Sequence, residues 1–162
     1  MALIRMEIKG LLMDPVSNMP VVILRDKEDG LFLPIWVGLF EANAIALEME
    51  KISTPRPMTH DLLRNVLAEL GTRVERIIIN DLKDNTFFAR IHLTRGDTHF
   101  DIDSRPSDAI ALALRSRAEI FVDHEVLEKS KSLRSESGEQ DPERLRKWLE
   151  EVNPEDLGKY KM

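Results

Sequence analysis

The word AIAL occurs twice in this chain, at Ala44–Leu47 and at Ala109–Leu112, 65 positions apart, and its surroundings repeat with it. Before the first copy come the runs IRMEIKGLLM, PVVILRD and LFLPIWV, divided by DPVSN and KEDG. Before the second come RVERIIINDL, FFARIHLT and THFDID, divided by KDN and RGD. Each run is apolar, β-branched or aromatic and is bounded by Asp, Asn, Gly or Pro, the pattern of strands joined by tight turns. A chain that spells strand, strand, strand, helix twice has few folds open to it. The pattern predicts an α+β domain of two repeated βββα halves, antiparallel meanders each followed by a helix, over roughly 3–52 and 73–118. A linking helix is expected over THDLLRNVLAEL, 59–70, where Leu62, Leu63, Val66, Leu67 and Leu70 fall at helical spacing and Gly71 supplies the C-terminal cap.

The two repeated helices carry more apolar surface than one sheet face can use. Ala109 to Leu114 runs six residues without a break, and 40–52 is interrupted mainly by Glu41, Glu48, Glu50 and Lys51. A helix apolar on most sides must pack on more than one side. Alanine at 42, 44, 46, 109, 111 and 113 lets backbones come close. These helices are therefore expected to touch each other or a second subunit besides covering the sheet. A homo-oligomer is expected, with a dimer as the first expectation.

With 162 residues, 43% of them hydrophobic and 32% charged, the chain has material for one domain with a full core. We place that domain at 1–128. Residues 129–162 read as a charged linker, Ser-, Glu- and Gly-rich over 130–141, and then a short amphipathic helix with Leu145, Trp148, Leu149 and Val152 on one face. Cysteine is absent, which excludes disulfides and thiolate chemistry. The first residues lack a signal-peptide pattern, and no apolar run reaches the ~18 residues of a membrane span. A cytoplasmic protein is expected. Net charge of −6 argues against a protein that coats nucleic acid non-specifically, though not against an enzyme with a local site.

The common phosphate-loop, dinucleotide, nucleophile-elbow and zinc-protease motifs are missing. Polar groups gather instead at the expected helix entrances: Glu41 at the first, Thr59, His60 and Asp61 at the second, and Asp101, Asp103, Arg105, Ser107 and Asp108 around the third. Each has a structural role open to it. Thr59 and Ser104 suit caps, Pro106 suits an early helical position, and Asp61 and Asp108 suit the dipole of a first turn. His60 differs, because imidazolium is disfavoured near a helix N-terminus, so a neutral ring suited to base or ligand work is expected there. His92, His99 and His124 read as incidental. On the functional reading, Asp101 and Asp103 alternate on one strand face beside the third helix. With His60 they are expected to hold a divalent ion, Mg²⁺ or Mn²⁺. Arg105 supplies a planar fork for a phosphate. Metal, base and guanidinium together equip phosphodiester hydrolysis.

The blocks LPIWVGLFEANAIALEME, RPMTHDLLRNVLAELG, RVERIIINDLKDNTFFARIHL and DIDSRPSDAIALALRS together resemble the bifunctional nuclease family, over roughly residues 5–128. LRKWLEEVNPEDLGKY looks like the C-terminal segment of some bacterial members. The resemblance implies an α+β fold and, by analogy with plant members, nuclease activity on both DNA and RNA. Its polar blocks fall here on Glu41, His60, Asp61, Asp103, Arg105, Ser107 and Asp108, all of them present. The leading expectation is thus a metal-assisted nuclease. The alternative is a non-catalytic oligomeric module in which the same charges form a structural network. Convergence of Glu41, His60, Asp103 and Arg105 on one open pocket separates the two.

Overall fold

Each of the six expected runs becomes a strand, and the three helices expected within 3–118 form. The computed structural model describes residues 2–26, 28 and 30–136, with side chains as far as Lys131. The order is β1 (Leu3–Met13), β2 (Pro20–Arg25), β3 (Phe32–Trp36), α1 (Leu39–Met49), α2 (Thr59–Glu69), β4 (Arg73–Lys83), β5 (Thr86–Arg95), β6 (Thr98–Ser104), α3 (Pro106–Ser116), β7 (Glu119–Asp123) and α4 (His124–Glu136). Tight turns set the meanders: Asp84 and Asn85 take positive φ between β4 and β5, and Gly96 does so between β5 and β6. Gly71, at φ +64, closes α2 as expected, its N–H donating to Ala68 O while Thr72 N–H donates to Leu67 O. No described helix is long and apolar enough to cross a membrane.

The strands make one seven-stranded mixed sheet, ordered β3-β2-β1-β7-β4-β5-β6. Both sets of three strands are antiparallel meanders followed by a helix. They do not pair with each other. β7, a strand outside either half, lies between them, antiparallel to β1 and parallel to β4. The two-half description therefore accounts for six strands and omits the one that joins them, and matching element order does not by itself establish duplication.

The core lies where Ile77 and Ile79 of β4, Ala89, Ile91 and Leu93 of β5, and Ile120 and Val122 of β7 meet the helices. α3 packs on β4, β5 and β7, and α1 and α2 both pack on α3. That triple contact is why residues 109–113 are all buried. The expected second contact for the apolar helices is thus found inside one chain. At the far end the expected linker is partly helix: α4 runs through Glu136, packs on β4 and β7, and buries Val126, Leu127 and Ser130. The amphipathic segment expected around Leu145, Trp148, Leu149 and Val152 lies outside the described residues.

Candidate active site

Three helices begin at the same place. Glu41 sits in the first turn of α1, His60 in that of α2 and Asp108 in that of α3, while Arg105 is the residue that precedes α3. The caps fall one residue from where the sequence suggested. Met58 rather than Thr59 precedes α2, and Arg105 rather than Ser104 precedes α3, with Pro106 opening the helix. Ser104 Oγ instead donates to Arg105 O at 2.8 Å.

A continuous chain of polar contacts links the three entrances. His60 Nε2 lies 2.9 Å from Asp108 Oδ1. Arg105 Nε donates to Asp108 Oδ2 at 3.0 Å, and Arg105 Nη2 donates to Glu41 Oε1 at 2.6 Å. Hydrogen bonds donated to Glu41 and then to Asp108 hold the Arg105 guanidinium charged, raising it further above its already high value. Its Nη1 has no partner among the described residues, and the side chain is 66% exposed. Glu41 folds back over Gly38 so closely that its carboxylate occupies the space of a Cβ at that position. Only glycine leaves room for this carboxylate geometry.

These groups border a cavity of about 550 Å³ whose walls also include Phe40, Asn43, Met58, Thr59 and Leu63. Convergence on one cleft therefore holds for Glu41, His60, Arg105 and Asp108. Three further expected site residues go elsewhere. Ser107 is buried in the first turn of α3 and does not line the cleft. Asp103 is 73% exposed and its ion pair is with Arg90 of β5, 3.8 Å away. It shares a sheet face with Arg90, His92 and Asp101, whereas α3 covers the face of Ala89, Ile91 and Leu93. Alternation along the strand thus separates Asp101 and Asp103 from His60 and Arg105. The expected ion site built from them is not assembled. Among the described residues no three His, Asp or Glu side chains are grouped to hold a metal ion.

Asp61 is a brace. Burial would raise its carboxyl, but the Met58 N–H at 3.0 Å and Arg115 at 2.7 Å outweigh that and set it below the ordinary carboxylate value. Arg115, only 2% exposed, also donates to Ala44 O at 2.9 Å and to Ala111 O at 3.0 Å. One guanidinium so ties α1, α2 and α3 together and keeps their entrances in register. The sequence carried a signal for it, a single cation directly after an unbroken apolar run. Met58, Phe40 and Leu63 gave no such signal as cleft residues.

Residues 22–134 match the family model of the bifunctional nuclease domain. An uncharacterised protein of Mycobacterium tuberculosis is 35% identical over 157 residues, covering 91% of this chain and 94% of the relative. Bifunctional nuclease 2 of Oryza sativa subsp. japonica is 30% identical over 121 residues, 72% of this chain but 37% of the plant protein. Bifunctional nuclease 1 of Oryza sativa subsp. indica is 23% identical over 118 residues, 71% of this chain and 36% of the relative. The chain thus spans little more than a third of these plant relatives.

Proposed function

Since the chain belongs to the bifunctional nuclease domain family, we propose that it hydrolyses phosphodiester bonds of DNA and RNA in the cleft of Glu41, His60, Arg105 and Asp108. The observation that carries this reading is a carboxylate-backed imidazole beside a guanidinium with a free edge, at the meeting of three helix N-termini. The positive ends of helix dipoles favour an anion there. DNA lacks a 2′-hydroxyl, so an activity on both polymers must use water as nucleophile. Asp108 accepts from the His60 Nε2–H, which leaves Nδ1 as the basic nitrogen. His60 takes a proton from water as the water oxygen bonds to phosphorus. The bond to the leaving oxygen breaks, that oxygen takes a proton from solvent, and His60 returns its proton to solvent. Arg105 Nη1 meets the charge that builds on the non-bridging oxygens. Glu41 and Asp108 orient that guanidinium.

The test is a nuclease assay on DNA and RNA with a purified inactive variant as contamination control. His60→Ala is expected to lower turnover by about 10² or more, the usual worth of a general base. Arg105→Lys keeps charge but loses the fork, and is expected to cost about tenfold or more, ~1.4 kcal/mol of transition-state stabilisation. Parental rates in both folded variants would remove the cleft from the reaction. Phosphate substrates carry Mg²⁺ or Mn²⁺ with them, so each assay is run with and without chelator to measure ion dependence.

The exposed apolar face of α2 favours an oligomeric working unit, and we place a homodimer contact there. The same face is what the non-catalytic alternative would use. That alternative gains if the parent binds its own copy yet cleaves nothing. A cytoplasmic location belongs to the same reading, since a cysteine-free chain suits a reducing compartment.

A further inference from the structure

Behind the catalytic cleft, on the other side of the α2 entrance, is a second cavity of about 390 Å³. His60 borders the first cavity and Asp61, its neighbour in sequence, borders the second. Three arginines line this second space, Arg56, Arg64 and Arg115, together with Glu48 and Asp61. Arg115 is consumed by Asp61 and two carbonyls. Arg56 and Arg64 are not consumed. Among the described residues Arg56 has no side-chain partner, and Arg64 reaches only the Asn65 amide oxygen, at 3.3 and 3.4 Å. Arg64 feels the Asp61 carboxylate at a distance, but neither arginine makes a salt bridge among the described residues. In a chain with net charge −6, two such arginines in one concavity need a reason.

The segment that presents Arg56 is stiff. Pro55 and Pro57 flank it, fixing φ at their own positions and confining Arg56 to extended backbone. Thr54 Oγ1 donates to Arg56 O at 2.7 Å, which ties the turn further. A guanidinium held this way loses little backbone freedom on binding. Ser53 and Asn65 add neutral donors on the same wall. Glu48 and Asp61 oppose an anion, but Asp61 is engaged by Arg115, and three guanidiniums border the cavity against these two carboxylates.

We propose that this cavity binds a phosphate group of the nucleic-acid strand, next to the one being cut, through Arg56, Arg64 and Asn65. The proposal rests on the nuclease reading for the identity of the strand, though not for the anion chemistry. Consecutive residues of α2 border the two cavities, so a strand crossing the α2 entrance meets both. The guanidinium fork suits two phosphate oxygens at once.

The experiment uses the full chain with a short labelled single-stranded oligonucleotide, followed by fluorescence anisotropy over a range of salt, and with inorganic phosphate followed by amide NMR. Arg56→Ala and Arg64→Ala are each expected to weaken oligonucleotide binding about tenfold and to reduce the salt slope by about one. KM rises far more than kcat falls. Arg64→Lys restores part of the affinity, and Asn65→Asp, which adds a like charge to the wall, weakens it without removing an arginine. Arg73→Ala, at an exposed arginine of β4 away from both cavities, keeps parental affinity. Parental affinity and slope in both folded alanine variants would overturn the proposal. So would inorganic phosphate binding here as tightly as the oligonucleotide, which would make free phosphate the ligand. A parent that binds through Arg56 and Arg64 but never cleaves leaves this site standing and removes the catalytic reading. A parent that cleaves with KM indifferent to both arginines does the reverse.

Discussion

Two acidic residues on different helices, Asp61 and Asp108, show what a single side chain decides here. Both sit in helix first turns and both contact a guanidinium. Asp108 faces a cleft and shares its arginine with Glu41, whereas Asp61 faces a buried arginine that also holds two carbonyls. Arg115→Ala is therefore expected to lower stability by about 3 kcal/mol in urea unfolding, the low end for a broken buried pair because Asp61 keeps some solvent. The pH dependence has a fixed sign. Asp61 titrates below its ordinary 3.8 in the folded chain, so its contribution is complete above that value and is lost as pH falls through the lower folded value. Asp61→Asn should flatten this acid limb, and an unchanged limb would locate the acid sensitivity elsewhere. The positions Glu41, His60, Arg105 and Asp108 were legible in the sequence because helix entrances announce themselves locally. Whether an acid acts or braces was not, since it depends on a partner more than fifty residues away, Arg115 for Asp61. Asp103 misled for a related reason. Proximity in sequence to Arg105 hid the strand alternation that turns it to the other side of the sheet.

Periodicity located the elements but not what covers them. All six expected strands and three expected helices form, because β-branched runs between Asn, Asp and Gly turns are a local code. α4 escaped it. Its Ser- and Glu-rich stretch has weak intrinsic signal, and its order comes from Val126 and Leu127 reaching the core. The helix therefore continues past residue 128, through Glu136. Ending the chain after Glu136 is expected to leave urea unfolding close to that of the full chain. Ending it after Asp123 removes two large core side chains, worth about 1.5–3 kcal/mol each, and exposes the surfaces they cover. The short form should fail to fold or lose several kcal/mol. If the form ending at Glu136 unfolds as badly, the remaining tail is part of the core rather than an appendage.

Among the described residues one face of the molecule is left uncovered by packing. α2 has no buried residue, yet Leu62, Leu63, Val66 and Leu70 lie along it, and Met58, Leu39 and Phe40 continue the patch, Phe40 being 76% exposed. Seven half-exposed apolar side chains amount to several hundred Å², the size at which a monomer's patch marks a contact. A stable interface needs roughly 800 Å² per partner, so polar residues at the rim must supply the rest. A two-fold contact through a single helix is self-complementary, since each copy offers the same surface. Phe40, Met58 and Leu63 also line the cleft of Glu41, His60, Arg105 and Asp108, so a partner seated on α2 would form one of its walls. Under the proposed dimer and the proposed nuclease reading, oligomer and activity are coupled. Val66 does not line the cleft, which makes Val66→Glu the clean test. In sedimentation velocity the parent should run as a dimer and Val66→Glu as a monomer, with circular dichroism unchanged. Turnover should fall in the variant although His60, Arg105 and Asp108 are intact, because the apolar wall that excludes water from the phosphate is gone. A parent that sediments as a monomer at assay concentration would dismiss the dimer. A monomeric variant that cleaves at the parental rate would leave the dimer standing but detach it from the chemistry.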